Sequence, residues 1–376
     1  MQIEAHIMNY EMQGPMGART MIDGRTVDYF AGCGYLGLQN HPAVRQAAID
    51  ALTTYGLANS GGFGSNHPIY HQLREAVCTY FGAEEMLYFA SGYLGNAILA
   101  QGLCTRFERI FIDEQAHYSV WDGARTAGKP VHAYRHLDAD DLTAVCRREL
   151  RPGERPFVMT DGVFPVSGEI APVPDLLAAI RPFDGQLCLD DAHATGVLGA
   201  NGRGTLEHFG LDGDERCVTS HTFSKALGAY GGFIVGQAAL IDELVTNANV
   251  QEGASRPPLP AAAAACTAVT LLRHDDSLRR QLRANVAQAR AGARALGWPL
   301  PDSPAPVICL AQRDGLDLAR IQADLFTHDI LVAHSTHYTS VPDGGALRIA
   351  VFATHTQEQI DRLVVTLGWV MQTHAV

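Results

Sequence analysis

Two stretches of sequence decide the fold of this chain: residues 187–193, which read LCLDDAH, and residues 217–225, which read CVTSHTFSK. Each begins with a run of apolar and β-branched residues of the length of a buried strand. Each then ends in carboxylate, imidazole, hydroxyl or amine groups. Ligands of open α/β sheets bind beyond the carboxyl ends of the strands. The two stretches therefore predict two strands of a parallel sheet, with a binding site where they end.

The sequence around these stretches continues the same pattern. The predicted strands are Met86–Ala90, Arg109–Asp113, Val131–Arg135, Phe157–Thr160, Leu187–Asp190, Cys217–Ser220 and Gly232–Val235. Amphipathic stretches of helical length lie between several of them, at Tyr118–Ala127, Ala139–Leu150 and Asp175–Ile180. Strands that alternate with helices indicate an α/β fold, in which helices cover both faces of a mostly parallel sheet.

A second region begins after about residue 247. It opens with a proline-rich bend at residues 256–260 and continues as a long helical stretch from Ala261 towards Leu296. Strands are predicted near Val307–Ala311, Ile330–His334 and Leu347–Phe352, and a last helix from about Gln357. This pattern predicts a smaller α+β domain. We therefore expect an N-terminal segment (1–45), a large domain (46–247) and a small C-terminal domain (248–376).

The composition of the chain restricts which partners and which cellular compartment we expect. The chain has 376 residues and a formal net charge of -12, which disfavours nucleic acid and anionic membranes as partners. Its eight cysteines form no CxxC pair, and the pattern indicates reduced thiols. The N-terminal residues lack the apolar core of a signal peptide, and no apolar run is long enough to span a bilayer. We expect a cytoplasmic protein.

Two other motifs are weaker than they look. Residues 32–37, GCGYLG, match the GxGxxG pattern of dinucleotide-binding folds, but that site needs a helix to open directly after the turn. Here we expect the helix to start near Pro42, after an Asn40-His41 turn. His67 and His71 have the i, i+4 spacing of zinc ligands, but the glutamate of HExxH is missing and Pro68 suits a first helical position. We predict a helix start there and no metal site.

The groups at the strand ends suit pyridoxal 5′-phosphate (PLP), which needs an amine, an acid for its ring nitrogen and a phosphate cup. Lys225 is one of only two lysines in the chain, the other being Lys129, so an incidental surface lysine is less expected at this place. Asp190 and His193 end the neighbouring predicted strand. Residues 91–96, SGYLGN, join a predicted strand to a helix, where free N–H groups bind anions. Alone, that junction would be interpreted as an ordinary turn.

With these residues in place, the chain resembles the α-oxoamine synthase family of fold-type-I PLP-dependent transferases. The resemblance runs from Asp28 through Leu367. It rests most firmly on residues 190–199 (DDAHATGVLG), 202–204 (GRG) and 222–228 (TFSKALG). Residues 35–38 (YLGL), 116–117 (AH), 347–349 (LRI) and 354–356 (THT) match as well. The resemblance implies a large domain built on a mostly parallel sheet and a smaller α+β C-terminal domain.

The resemblance also implies a role for each matching residue. Lys225 would carry PLP as a Schiff base, Asp190 would pair with the pyridine nitrogen, and His193 with the phenolic oxygen of the ring. His117 would stack on the ring face. Ser91, Gly92, Tyr93 and Thr222 would surround the phosphate. Arg348 would bind the carboxylate of the amino-acid substrate, since its planar fork suits bidentate binding.

Several positions depart from the family pattern. Cys33 stands where the family usually has an asparagine near the substrate, Pro165 replaces a serine, and Ala346 replaces the first arginine of an Arg-Leu-Arg stretch. Asp161 replaces a glutamate, and residues 255–257 (SRP) replace a Ser-Thr-Ser stretch that reaches the partner subunit's phosphate. The cofactor chemistry is therefore expected to be retained, whereas the substrate pockets have diverged.

The resemblance implies a homodimer that condenses a small amino acid with an acyl thioester, carried by coenzyme A or a carrier protein, and releases carbon dioxide and an α-amino ketone. Two alternatives stay open: an aminotransferase on the same scaffold and a catalytically inactive PLP-binding homologue. In the dimer, residues 59–65 (NSGGFGS) and the 255–258 bend are expected to lie near a cofactor, at least one of them near that of the partner subunit.

Overall fold

The computed structural model describes residues 10–58 and 66–374, with only the backbone of residue 374. In the part of the chain that is described, the strands are β1 Arg19–Ile22, β2 Arg25–Tyr29, β3 Glu85–Phe89, β4 Arg109–Asp113, β5 Val131–Tyr134, β6 Pro156–Asp161, β7 Gln186–Asp190, β8 Cys217–Thr222, β9 Gly232–Gly236, β10 Val307–Ala311, β11 Ile330–Leu331, β12 Ala333–Ser335 and β13 Ala346–Ala350. The helices are α1 Pro42–Tyr55, α2 Pro68–Phe81, α3 Gly95–Gly102, α4 Tyr118–Thr126, α5 Ala139–Glu149, α6 Val173–Ile180, α7 Thr205–His208, α8 Ala238–Asn247, α9 Leu259–His274, α10 Ser277–Ala295, α11 Leu318–Thr327 and α12 Gln357–His374.

A seven-stranded sheet in the order β3-β9-β8-β7-β6-β4-β5 forms the centre of the large domain. Strand β9 is antiparallel to both of its neighbours, and the other pairings are parallel. All seven strands were predicted from the sequence to within two residues at each end. The prediction of an α/β fold with a mostly parallel sheet is confirmed.

The alternation of side chains along the strands explains why helices cover both faces. Ile110, Phe157 and Cys188 point to one buried cluster, which includes residues of α3, α4 and α8. Their neighbours in sequence, such as Phe111 and Val158, point to the opposite cluster, which includes residues of α5 and α6. Burial of each such side chain is worth about 1.5–3 kcal/mol. The sheet is therefore apolar on both faces, and polar groups are left at the strand ends.

The small domain contains the antiparallel sheet β10-β13-β12. A third sheet has the order β1-β2-β11, in which β2 from the N-terminal segment pairs in parallel with β11 from the C-terminal part. The N-terminal segment thus contacts the small domain. The predicted domain boundaries at residues 45 and 247 stay predictions.

Two of the predicted elements are divided. The helical stretch from Ala261 to Leu296 is two helices, α9 and α10, separated at Asp275, whose backbone is extended and whose carboxylate accepts a hydrogen bond from the Ser277 amide at 2.8 Å. An aspartate that bonds the backbone two residues ahead favours a turn over a continued helix. The predicted strand Ile330–His334 is likewise two short strands, which belong to different sheets.

Two histidines begin helices, as the sequence predicted for those regions. The His41 ring accepts a hydrogen bond from the Ala43 amide at the start of α1, and the His67 ring accepts one from the Ile69 amide at the start of α2. No group of three metal-ligating side chains was found among the residues described. A search of the same residues for a helix both long and apolar enough to cross a membrane found none.

Candidate active site

A cavity of about 500 Å³ lies at the carboxyl ends of the parallel strands. The structure brings all ten of the residues predicted for the site to its wall: Cys33, Ser91, Gly92, Tyr93, His117, Asp190, His193, Thr222, Lys225 and Arg348. Pro165, one of the departures from the family pattern, also lines it, whereas Ala346 is buried within β13. The individual roles of these residues stay predictions.

Asp190 is held by a network of hydrogen-bond donors at the end of β7. Its carboxylate accepts hydrogen bonds from the Asn96 side chain at 2.7 Å and the Ala192 amide at 3.0 Å, and the Ser119 oxygen lies 3.3 Å from it. These contacts hold the Asp190 carboxylate at the wall of the cavity, where it can face a ligand.

A second carboxyl group, that of Asp161, lies beside Asp190 because the two residues are partners in the β6–β7 register. Its Oδ2 accepts a hydrogen bond from the His117 amide at 2.7 Å. Burial raises the pKa of Asp161 well above its ordinary value, and the nearby charge of Asp190 raises it further. Burial thus favours the protonated form of Asp161 at this edge of the sheet.

The His193 ring is buried and contacts side chains from outside the large domain. Its Nδ1 lies 2.6 Å from the Tyr35 hydroxyl, and Arg348 donates to that hydroxyl at 3.3 Å. Burial lowers the pKa of His193 well below its ordinary value, and the charges of Lys225 and Arg348 act in the same direction. A neutral imidazole therefore faces the cavity.

Arg348 is buried and uses its whole guanidinium group within the protein. Its Nε donates to the Pro165 carbonyl at 2.7 Å, and one terminal nitrogen donates to the carbonyls of Ala31 and Gly32. The other terminal nitrogen contacts the Tyr35 hydroxyl and, at 3.6 Å, the Cys33 sulfur. A substrate carboxylate would therefore be bound by this last nitrogen, in exchange for the two side-chain contacts.

The His117 ring is fixed at the start of α4, where its Nδ1 accepts a hydrogen bond from the Ser119 amide at 3.1 Å. Its Nε2 lies 2.7 Å from the hydroxyl of Tyr338, which comes from the small domain. Burial lowers the pKa of His117 below its ordinary value. The ring that the resemblance places on the cofactor's face is thus held at both nitrogens.

The segment before α3 lies close against Thr222 at the wall of the cavity. The Ser91 hydroxyl accepts a hydrogen bond from the Tyr93 amide at 3.3 Å, and Gly92 lies against Thr222. A Cβ atom at Gly92 would lie 2.8 Å from the Thr222 Cβ, so only glycine allows this approach. Together with the amine of Lys225 and the carboxylate of Asp190, these groups are of the kinds that PLP needs.

Several residues at the site were missed by sequence reasoning. Asn96 and Ser119 position Asp190, Tyr35 contacts His193, and Tyr338 contacts His117. Asn96 is the last residue of the 91–96 motif and Ser119 lies two residues beyond the 116–117 match, so attention to the hydrogen-bonding side chains in and just after each motif would have found them. Nothing local in the sequence marks Tyr338, which is 221 residues from its partner.

Of the two stretches predicted to approach a cofactor in a dimer, only the 255–258 bend is described by the structure, and it does not line this cavity. Residues 59–65 lie outside the described residues. Ser255 and Arg256 line a separate cavity beside α2, where the Pro257 carbonyl accepts a hydrogen bond from the Tyr70 hydroxyl at 2.7 Å. Their place in an assembly stays a prediction.

Comparisons with known proteins agree on one family. A family model described as aminotransferase class I and II matches residues 33–367. The 8-amino-7-oxononanoate synthase of Nitrosococcus oceani is 36% identical over 367 residues, covering 96% of each chain. That of Methylococcus capsulatus is 36% identical over 363 residues, covering 95% of this chain and 92% of its own. A solved structure of serine palmitoyltransferase from S. paucimobilis, with PLP bound, has a TM-score of 0.89 at 22% identity, covering 97% of this chain and 92% of that one. This last likeness shows a common fold.

Proposed function

The chain belongs to the class I and II aminotransferase family, within it to the α-oxoamine synthases, and from this premise we propose which substrates it joins. Members of this branch use PLP to condense an amino acid with an acyl thioester and release carbon dioxide, and this chain is an enzyme of that type. We infer that its product is 8-amino-7-oxononanoate, as the name of its relatives states for them.

The name of that product identifies the two substrates by their carbon atoms. Carbons 8 and 9, with the amino group, are alanine without its carboxyl group. Carbons 1 to 7 are a heptanedioyl chain whose carbon 7 has become the ketone. The substrates are therefore L-alanine and a heptanedioyl thioester. The small side chain of alanine also agrees with the prediction of a small amino acid.

Lys225 supports the chemistry most strongly. It is one of two lysines in the chain, and it lies in the cavity with Asp190, His117 and His193. When bound, PLP withdraws electrons from the Cα of the amino acid, so that this carbon can lose its proton and act as a nucleophile. Lys225 would hold the cofactor at its aldehyde carbon, and its Nζ, once free, would be the base that takes the Cα proton.

The other residues hold the reacting groups. Asp190 would hold a proton on the ring nitrogen of PLP, and His193 would form a hydrogen bond with the phenolic oxygen of the ring. The loop of Ser91 and Gly92 would hold the phosphate together with Thr222. Arg348 binds the amino acid's carboxylate, which orients the Cα–H bond towards Lys225.

Product analysis tests the substrates and the reaction separately. The holoenzyme is incubated with L-alanine, glycine or L-serine and heptanedioyl-coenzyme A, and the products are identified by mass. We expect an amino ketone and carbon dioxide with alanine. A ketone formed only from another amino acid would contradict the substrate proposal alone. Formation of a keto acid without any amino ketone would contradict the condensation itself.

We further propose that the protein is a homodimer. The end of α1 exposes Ile49, Leu52 and Tyr55, each about half exposed. Leu57, just beyond the helix, is 66% exposed, and its carbonyl accepts a hydrogen bond from Leu259 next to the 255–258 bend. An apolar surface of this kind is typical of a subunit interface.

Sedimentation equilibrium tests the dimer. We expect twice the mass of the chain, and a shift towards monomer in Leu52→Glu, which places a charge on this surface. An obligate interface above about 2,000 Å² would tolerate such a charge poorly. The wild-type protein sedimenting as a monomer while fully active would contradict the proposal.

We also propose a cytoplasmic location. All eight cysteines of the chain are free thiols in the structure. Unpaired thiols in this number are typical of a reducing compartment. Fractionation of the producing cells, followed by detection of the chain, tests this location, and recovery outside the cytoplasm would contradict it.

A further inference from the structure

Tyr338 reaches the cavity from the loop that joins β12 to β13 in the small domain. Its hydroxyl lies 2.7 Å from His117 Nε2. Its ring packs edge-on against Tyr118, with 5.4 Å between the ring centroids. The side chain is 42% exposed, so it lies at the mouth of the cavity and not in its interior. Two contacts thus fix a tyrosine hydroxyl where a second substrate would enter.

The direction of the hydrogen bond follows from the protons on His117. The Ser119 amide can only donate, so His117 Nδ1 accepts from it, and the Ser119 hydroxyl, 2.7 Å from the same nitrogen, donates to it as well. Nδ1 therefore carries no proton in the neutral ring. The one ring proton is then on Nε2, and it is donated to the Tyr338 oxygen. Among the described residues, the structure gives the Tyr338 hydroxyl no other hydrogen bond. Its own proton is therefore free to be donated to a ligand.

We propose that Tyr338 donates this hydrogen bond to the carbonyl oxygen of the acyl thioester, an inference that rests on the proposed condensation. When the amino acid's Cα attacks the thioester carbon, a carbon–carbon bond forms and the π electrons move onto the carbonyl oxygen. Tyr338 stabilises the negative charge there and keeps its proton. When the carbonyl reforms, the carbon–sulfur bond breaks, and the sulfur leaves as a thiolate that takes a proton from solvent.

The position of Tyr338 favours the acyl carbonyl over the amino acid. Asp190 and Lys225 lie at the strand ends of the large domain, and the amino acid reacts next to them. Tyr338 instead lies at the mouth of the cavity, where its hydroxyl contacts Nε2 of His117. Burial raises the pKa of Tyr338, which keeps the hydroxyl a donor through the neutral range. A donor placed in advance at a developing oxyanion is worth on the order of 10²–10³-fold in rate.

The test compares two steps of the reaction in the holoenzyme of Tyr338→Phe. The first step, exchange of the alanine Cα proton in D₂O without thioester, is followed by NMR. The second, ketone formation from alanine and heptanedioyl-coenzyme A, is followed by mass. Tyr118→Phe is the matched control, because it keeps the ring that packs on Tyr338 and loses a hydroxyl outside the cavity. Absorbance of bound PLP verifies that each variant is loaded.

We expect Tyr338→Phe to lower the kcat of ketone formation on the order of 10²-fold while Cα exchange stays within about twofold of wild type. Tyr118→Phe is expected to match wild type in both. Ketone formation at the wild-type rate in Tyr338→Phe would overturn the inference, as would an equal loss of Cα exchange. A wild-type protein that exchanges the Cα proton but forms no ketone would instead overturn the proposed function, and this inference with it.

Discussion

The cavity has a floor and a rim, and the two are held in place by different kinds of structure. The floor consists of Ser91, Gly92, Asp190, Thr222 and Lys225, which lie at or just after the ends of β3, β7 and β8 in one sheet. The rim consists of Cys33, Tyr338 and Arg348, which come from three separate segments outside that sheet. One sheet therefore places the floor, whereas the rim residues are brought together by side-chain contacts between distant segments.

This difference separates two properties of the enzyme. The floor matches the family motifs and carries the groups that fit the cofactor. The rim holds Cys33 and lies beside Pro165, two of the departures from the family pattern. Changes at the floor are therefore expected to affect the chemistry itself, and changes at the rim to affect substrate affinity or the acyl step.

The largest expected effect is at Lys225. Lys225→Ala removes both the covalent link to the cofactor and the base, so turnover should fall roughly 10⁴-fold or more. Product formation is measured by mass, and borohydride reduction of the wild-type holoenzyme, followed by peptide mapping, should fix the cofactor on Lys225. Lys129 is the matched control, because it is the only other lysine. Recovery of the cofactor on Lys129 would show that Lys225 is not the residue that binds it.

The next effect distinguishes two adjacent carboxylates. Asp190→Asn should lower turnover on the order of 10²–10⁴-fold, because an amide cannot hold the proton on the ring nitrogen. Asp191→Asn should leave turnover nearly unchanged, since the Asp191 carboxylate points away from the cavity and bonds the Thr205 amide and hydroxyl at 2.9 and 2.6 Å. Both variants are compared by kcat. Equal losses of kcat in the two variants would mean that Asp190 is not the carboxylate that serves the cofactor.

A smaller effect is expected at the rim. Arg348→Lys should raise the KM for alanine about 10-fold or more, since charge-assisted hydrogen bonds are worth about 1.5–3 kcal/mol each. The absorbance of bound PLP should be unchanged, because the floor is intact. Cys33→Ala serves as the control, since a thiol 3.6 Å from the guanidinium is a weak acceptor. An unchanged KM in Arg348→Lys would show that the amino acid is bound elsewhere.

The smallest effect is on stability and not on turnover. Burial raises the pKa of Asp191 from 3.8 to about 7 in the folded protein. Because this folded pKa is raised, the stabilising protonated form is fully present at low pH and is lost as pH rises towards 7. Urea unfolding from pH 4.5 to 8 should therefore show wild type losing stability relative to Asp191→Asn. Parallel curves would contradict the assignment of a buried, protonated Asp191.

The floor residues could be predicted from the sequence because the patterns that mark them are local. Each strand is a short apolar run, and its end is marked by polar residues, so LCLDDAH and TFSK indicate both the element and the site. The break in the helix after His274 was missed, because the stretch from Ala261 towards Leu296 was predicted as one helix although Asp275 bonds the backbone of Ser277. Whether an aspartate bonds its own backbone or continues a helix depends on neighbouring packing, which periodicity does not contain.

The rim was reached only in part. Arg348 and Cys33 were identified by resemblance. The hydrogen bonds from Arg348 to three backbone carbonyls could not be predicted, because every residue has a backbone carbonyl and the sequence does not show which ones are used. Tyr35 lies in a recognised motif, yet its bond to His193 spans 158 residues. Contacts of this kind depend on how two domains meet, and no local pattern encodes them.

The loop that carries Lys225 has a consequence for the order of folding. It joins the antiparallel neighbours β8 and β9, and it closes on itself through hydrogen bonds from Phe223 to Gly231 and from Ala229 to Phe223. Such a short-range closure costs little chain entropy and can form early. The bond between Asn96 and Asp190 spans 94 residues, and that between Arg348 and Tyr35 spans 313. The reactive lysine is therefore expected to be in place before the groups that tune it. A nascent chain would then carry an amine that meets PLP before the surrounding pocket is complete.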